Sequence, residues 1–150
     1  MARRRASDIQ MSRATPQLRK FAELIIAHEA EARKSSASPS GRAFTVVDKL
    51  RPHLTNLMGM AGFRALLARS LTLAAAEVVW LQAVQLNADG SWEGLDELGA
   101  QVGPADFMEA RIVALAQLIG LLVAFIGKNL TLRLVGEIWP RLSLKELNFS

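Results

Sequence analysis

Apolar residues along this chain recur at three- and four-residue intervals over several long stretches, and strict alternation never survives a count over six residues. That pattern predicts helices and no sheet. The first periodic segment runs from about Thr15 to Lys34. Thr15 followed by Pro16 reads as an N-cap and an N1 proline, and Leu18, Phe21, Leu24 or Ile25, and His28 follow at helical spacing. Glu29, Glu31, Arg33 and Lys34 make its far end polar. Residues 35–41, SSASPSG, are small, polar and broken by a proline, which predicts a linker.

A second helix is expected from Thr45 to about Met58, opened by a capping-box-like Thr45 and Asp48 and kinked or split at Pro52. Gly59 and Gly62 bracket a break. A longer helix from about Gly62 to Gln85 follows, its stripe made by Phe63, Leu67, Ala74, Val78, Leu81 and Gln85 and widened by Leu66, Leu73, Trp80 and Val84. It is expected to end at the turn sequence Asn87-Ala-Asp-Gly90. Trp92 to Ala100 suits a short acidic helical turn. Gly103-Pro104 opens the last long helix, expected from Ala105 to Trp139, with Gly127 its weak point and Pro140 its stop. Ser143 and Glu146 form a second candidate capping box. The predicted class is all-α: a single-domain bundle of four to five helices with a basic N-terminal arm. Residues 1–42 are assigned to the arm, with its one helix and linker, and 43–150 to the bundle. The expected core is Phe63, Leu67, Leu71, Ala74, Val78, Leu81, Leu115, Ile119, Leu122 and Ile126.

Charge divides the chain at the same place. The net charge of +4 over 150 residues is uneven. Residues 1–42 hold nine basic and four acidic groups, +5, and residues 43–150 hold nine and ten, −1. A basic arm attracts polyanions, and Arg3, Arg4, Arg5, Arg13, Arg19 and Lys20 are its candidate contacts. The Arg-rich start lacks a following apolar run, so a secretory signal is not expected and a cytoplasmic location is the default.

The search for catalytic chemistry returns little. With no cysteine, no tyrosine and two histidines, thiol chemistry and most metal and acid–base sites lose their usual residues. His28-Glu29 is not an HExxH motif, because Ala32 stands where the second histidine belongs. Asn87, Asp89, Ser91 and Glu93 alternate as in a calcium loop, but Trp92 occupies the glycine position and Leu98 the final acidic one. No metal, no cofactor and no catalytic residue is expected. Glu77 borders the apolar stripe of its helix, and a buried carboxylate needs a partner. Arg69, Arg111 and Arg133 are the candidates. A structural ion pair that fixes helix register is preferred there over a tuned general acid.

Two further features bear on partners. Residues 112–127 carry no charge but number fewer than the ~20 that span a bilayer, so a buried central helix is preferred over a membrane hairpin. Small residues recur every four positions at Ala116, Gly120 and Ala124, and at Ala68, Thr72 and Ala76. These stripes suit close packing of the two helices on each other, with Gly120 against Thr72, or alternatively self-association. The leading functional expectation is a non-enzymatic interaction module, an adaptor or small regulatory subunit that binds another protein or its own copy through apolar helix faces. Nucleic-acid association through the arm is the second, and membrane association the third.

Overall fold

A computed structural model describes residues 15–35, 45–87 and 92–140. Arg3, Arg4, Arg5 and Arg13, most of the linker, and the Ser143–Glu146 capping box lie outside the described residues. The described chain is mostly helical: α1 (Pro16–Ser35), α2 (Thr45–Glu77), a 3-10 turn (Val79–Ala83), strands β1 (Gln85–Leu86) and β2 (Trp92–Glu93), α3 (Leu95–Val102), α4 (Pro104–Ile126) and α5 (Lys128–Ile138).

Helix α1 starts where its cap predicts. The Leu18 amide donates to Thr15 Oγ1 at 3.2 Å, and Pro16 occupies the first turn, where no amide is needed. Its inner face is Phe21, Ala22, Ile25 and Ile26, all buried. They share one core cluster with Val46, Leu50, Leu54, Phe63 and Leu67 of α2, Leu115, Leu118, Ile119 and Leu122 of α4, and Leu134, Val135 and Trp139 at the end of the fold. The helix of residues 16–35 therefore packs into the body of the protein, a question its sequence leaves open.

Helix α2 runs through Pro52 and breaks at Gly59, whose φ of 79° and ψ of 164° are non-helical. The proline removes one backbone hydrogen bond, but Val46, Val47, Leu50 and Leu54 on both sides of it are buried. That shared burial holds the segment helical, and the glycine, with no Cβ to oppose a positive φ, takes the bend. The second half does not reach Gln85. It ends at Glu77, and Val78 is extended at φ −120° and ψ 98°. Val78 and Val79 are β-branched and stiff at χ1, and leaving the helix there buries Leu81 and Val84 against Leu71, Ala74, Leu95, Ala110 and Val113 in a second cluster. The expected absence of sheet is corrected in one place. β1 and β2 pair antiparallel, Gln85 opposite Glu93 and Leu86 opposite Trp92. Arg64 Nε ties this hairpin to α2 by donating to the Asn87 carbonyl at 3.2 Å.

The last long helix is two helices. Gly127, at φ 90° and ψ 158°, separates α4 from α5, and the Thr131 hydroxyl donates to the Gly127 carbonyl at 2.8 Å to fix the start of α5. Residues 112–119 of α4 are all buried, and α4 contacts α1, α2, α3 and α5. Of the core expected from the sequence, Val78 and Ile126 are half-buried and the others are buried.

Leu67 and Leu122 are fully buried in the larger cluster. Leu67→Ala or Leu122→Ala is expected to lower unfolding free energy by ~2–5 kcal/mol through lost transfer energy and a residual cavity. Urea unfolding checks this, and a loss within ~0.5 kcal/mol at both positions would contradict the packing described.

Candidate functional site

The polar side chains that bridge distant segments are the places where chemistry would be sought. Arg19 of α1 reaches Glu109 of α4 in a bidentate pair, Nη1 to Oε2 at 2.8 Å and Nη2 to Oε1 at 2.7 Å. The fork geometry of guanidinium suits a carboxylate in this way. The hydrogen bonds from Arg19 hold the Glu109 carboxyl below its ordinary value, and those to Glu109 raise Arg19. Both groups are partly exposed, at 30% and 47%, so the pair contributes little stability, on the order of 1 kcal/mol or less. The depressed carboxyl makes that contribution complete above about pH 4.5 and lost as pH falls through the lowered value. Arg19 is thus engaged within the chain. Lys20, the other described member of the polyanion set, is exposed.

Glu77, at the end of α2, is half-buried, and Oε2 accepts a hydrogen bond from Gln117 Nε2 at 2.8 Å. Gln117 is 5% exposed and is the polar interruption in the apolar run of α4. Gln117 is thus a partner of Glu77 in addition to the arginines that the sequence suggests for it. Its place is set by helix register: Gln117 stands on the side of α4 that meets α2.

The two small-residue stripes do not face each other. A Cβ at Gly120 would stand 3.1 Å from Leu18 Cδ1, so Gly120 faces α1 rather than Thr72. Ala116 is buried and Ala124 exposed. Ala68, Thr72 and Ala76 are all exposed, and Thr72 returns its hydroxyl proton to the Ala68 carbonyl at 2.9 Å. The expected contact of Gly120 with Thr72 is therefore not made: Gly120 packs on Leu18 of α1, and α2 turns its small-residue side outward.

One polar node was absent from the sequence reading. Glu29, 5% exposed, receives the Lys49 ammonium and the Trp139 indole N–H on the same oxygen, Oε2, each at 2.9 Å. Three parts of the chain meet there: α1, α2 and the residue that closes α5. Glu29 falls on the inner side of α1 with Ile25 and Ile26, but the run Glu29, Glu31, Arg33, Lys34 reads as a solvated end. The signal that would have found it is the i, i+4 step from buried Ile25.

Elsewhere, Trp80 and Phe107 pack with ring centroids 6.4 Å apart, and the Arg111 guanidinium lies 5.1 Å from the Phe107 centroid. An open hollow of about 490 Å³ is lined by Pro52, His53, Thr55 and Asn56. Its histidine Nδ1 lies 3.3 Å from the Lys49 carbonyl. Among the described residues no group of three or more His, Asp or Glu side chains is placed to hold a metal ion. The chain matches no family model, no curated protein and no solved structure.

Trp139→Phe keeps the buried ring but removes the indole donor to Glu29. A hydrogen bond to a charged, buried group is worth about 1.5–3 kcal/mol, and urea unfolding is expected to show a loss of that size. Lys20→Met, at an exposed position, should change stability by no more than ~0.5 kcal/mol.

Proposed function

We propose that this chain is a non-enzymatic helical interaction module, an adaptor or small regulatory subunit, built as a single bundle around α4. Its partner is another protein, seated on the outer face of residues 60–77. The observation that carries this reading is the composition of that face. Ala61, Ala65, Ala68, Thr72 and Ala76 are exposed at three- and four-residue intervals, and Met60 and Val79 extend the apolar surface at 45% and 69% exposure. From Ala61 to Ala76 the strip is about 22 Å long at 1.5 Å per residue, roughly four turns of a docked helix. Side chains this small let a partner backbone approach closely. Exposed Arg64 and Arg69 flank the strip on either side, which favours a partner helix carrying carboxylates beside its apolar seam.

The polar groups that bridge helices support the non-enzymatic part of the reading. Arg19 with Glu109, Gln117 with Glu77, and Glu29 with Lys49 and Trp139 each join separate helices. No cofactor is required, and a cytoplasmic setting is consistent with the proposal.

Affinity isolation from the native cell with the full chain tests it. Ala68→Glu and Thr72→Glu replace exposed residues and should leave stability within ~0.5 kcal/mol. They are expected to lose the partners that the unsubstituted chain retains. Retention of the same partners by folded variants would contradict the assignment of this face.

A further inference from the structure

We infer that α5 is a hinged flap: it detaches from the bundle as one unit about Gly127, with Trp139 on Glu29 as its latch, while the other helices stay folded. The hinge is built into the backbone. Gly127 sits at φ 90° and ψ 158°, in the positive-φ region that residues with a Cβ resist. Its amide closes α4 by donating to the Val123 carbonyl at 2.9 Å, and its carbonyl opens α5 by accepting from the Thr131 amide at 3.1 Å. The two helical ladders therefore end on opposite sides of one Cα, and rotation about its φ and ψ breaks neither of these bonds. A Cβ built on Gly127 would meet nothing within 4 Å, so its surroundings leave the hinge room.

Helix α5 is also the lightly held wall of the bundle. Of its eleven residues only Thr131, Leu134 and Val135 are buried, and the Thr131 hydroxyl is bonded to Gly127 within the hinge itself. Leu134 and Val135, with half-buried Leu132 and Ile138, are its apolar hold on the core. Segments with few buried contacts open at lower free energy than the core. Eleven residues are too few for a stable isolated helix, so α5 keeps its helix only while it is seated. The far end is held by Trp139, 2% exposed, through its indole N–H to Glu29 Oε2. Lys49 Nζ reaches the same oxygen at 2.9 Å. Glu29 lies on α1 and Lys49 on α2, so both stay behind when Trp139 leaves. The open state keeps the carboxylate paired, which avoids the cost of an orphaned charge. Opening bares the part of the larger cluster that Leu134, Val135 and Trp139 cover, a surface separate from the strip at residues 60–77.

The chain has no cysteine, so one introduced thiol reports opening. Val135→Cys in α5 and Leu118→Cys in α4 are compared by labelling with a disulfide reagent over a range of low urea concentrations. Val135→Cys should react more than about tenfold faster without urea, through an opening cheaper than global unfolding. Its urea dependence should be weak because little surface is exposed, whereas Leu118→Cys should follow global unfolding. Hydrogen exchange of the unsubstituted chain makes the same comparison at the amides of residues 132–137 and 112–119. Trp139→Phe, added to Val135→Cys, should raise labelling about tenfold or more through loss of the indole hydrogen bond, with the weak urea dependence kept. Equal opening free energy and equal urea dependence for the two helices would overturn the flap, since α5 would then leave only when the whole chain unfolds. Unchanged labelling in the Trp139→Phe variant would overturn the latch.

Discussion

Eight consecutive buried residues, 112–119 of α4, impose the condition that the rest of the fold satisfies. A helix buried over more than two full turns has no solvent face, so it needs neighbours on every side. Those neighbours are α1, α2, α3 and α5. Removing any of them would uncover apolar surface at roughly 25 cal/mol per Å². The break at Gly127 follows from the same demand, since a straight continuation of α4 would carry Leu134, Val135 and Trp139 away from the core that they now share with α1 and α2.

An apolar axis alone leaves register open, because many rotations of a greasy helix bury similar area. The polar bridges remove that freedom. Gln117 meets Glu77, Arg19 grips Glu109, and Glu29 collects Lys49 and Trp139. Gln117 and Glu29 are each 5% exposed, and a buried polar group without its partner is costly, so a register that separates Gln117 from Glu77, or Glu29 from Lys49 and Trp139, is penalised even where its apolar contacts are acceptable. Their contribution is to the uniqueness of the arrangement more than to its total stability.

Much of this was legible in the sequence where the governing interaction is local. Thr15 with Pro16, Gly59, Gly127 and Pro104 act within one turn of themselves, and each marks the helix end or break expected of it. Most of the named core was equally legible, because the stripe of Phe63 and Leu67 belongs to one helix. What the sequence hid depends on partners far along the chain. Glu29 is buried because Trp139 lies against it 110 residues away. The end of α2 at Glu77 is decided by the second cluster, which gains Leu81 and Val84 when the helix stops early. Pro52 breaks nothing, since core burial on both sides outweighs a missing hydrogen bond. The small-residue stripes show the limit most clearly: spacing identified a face at Ala68, Thr72 and Ala76, but spacing carries no information about which face another helix covers.

Native-state hydrogen exchange along α4 tests the organising role of this helix most directly. If the enclosure of residues 112–119 holds the fold together, their amides should exchange only through global unfolding, with protection matching the unfolding free energy from denaturant. The amides of the β1–β2 hairpin should exchange earlier, through local opening. Exchange of residues 112–119 through a cheaper local opening, while α1 and α2 remain protected, would contradict the account.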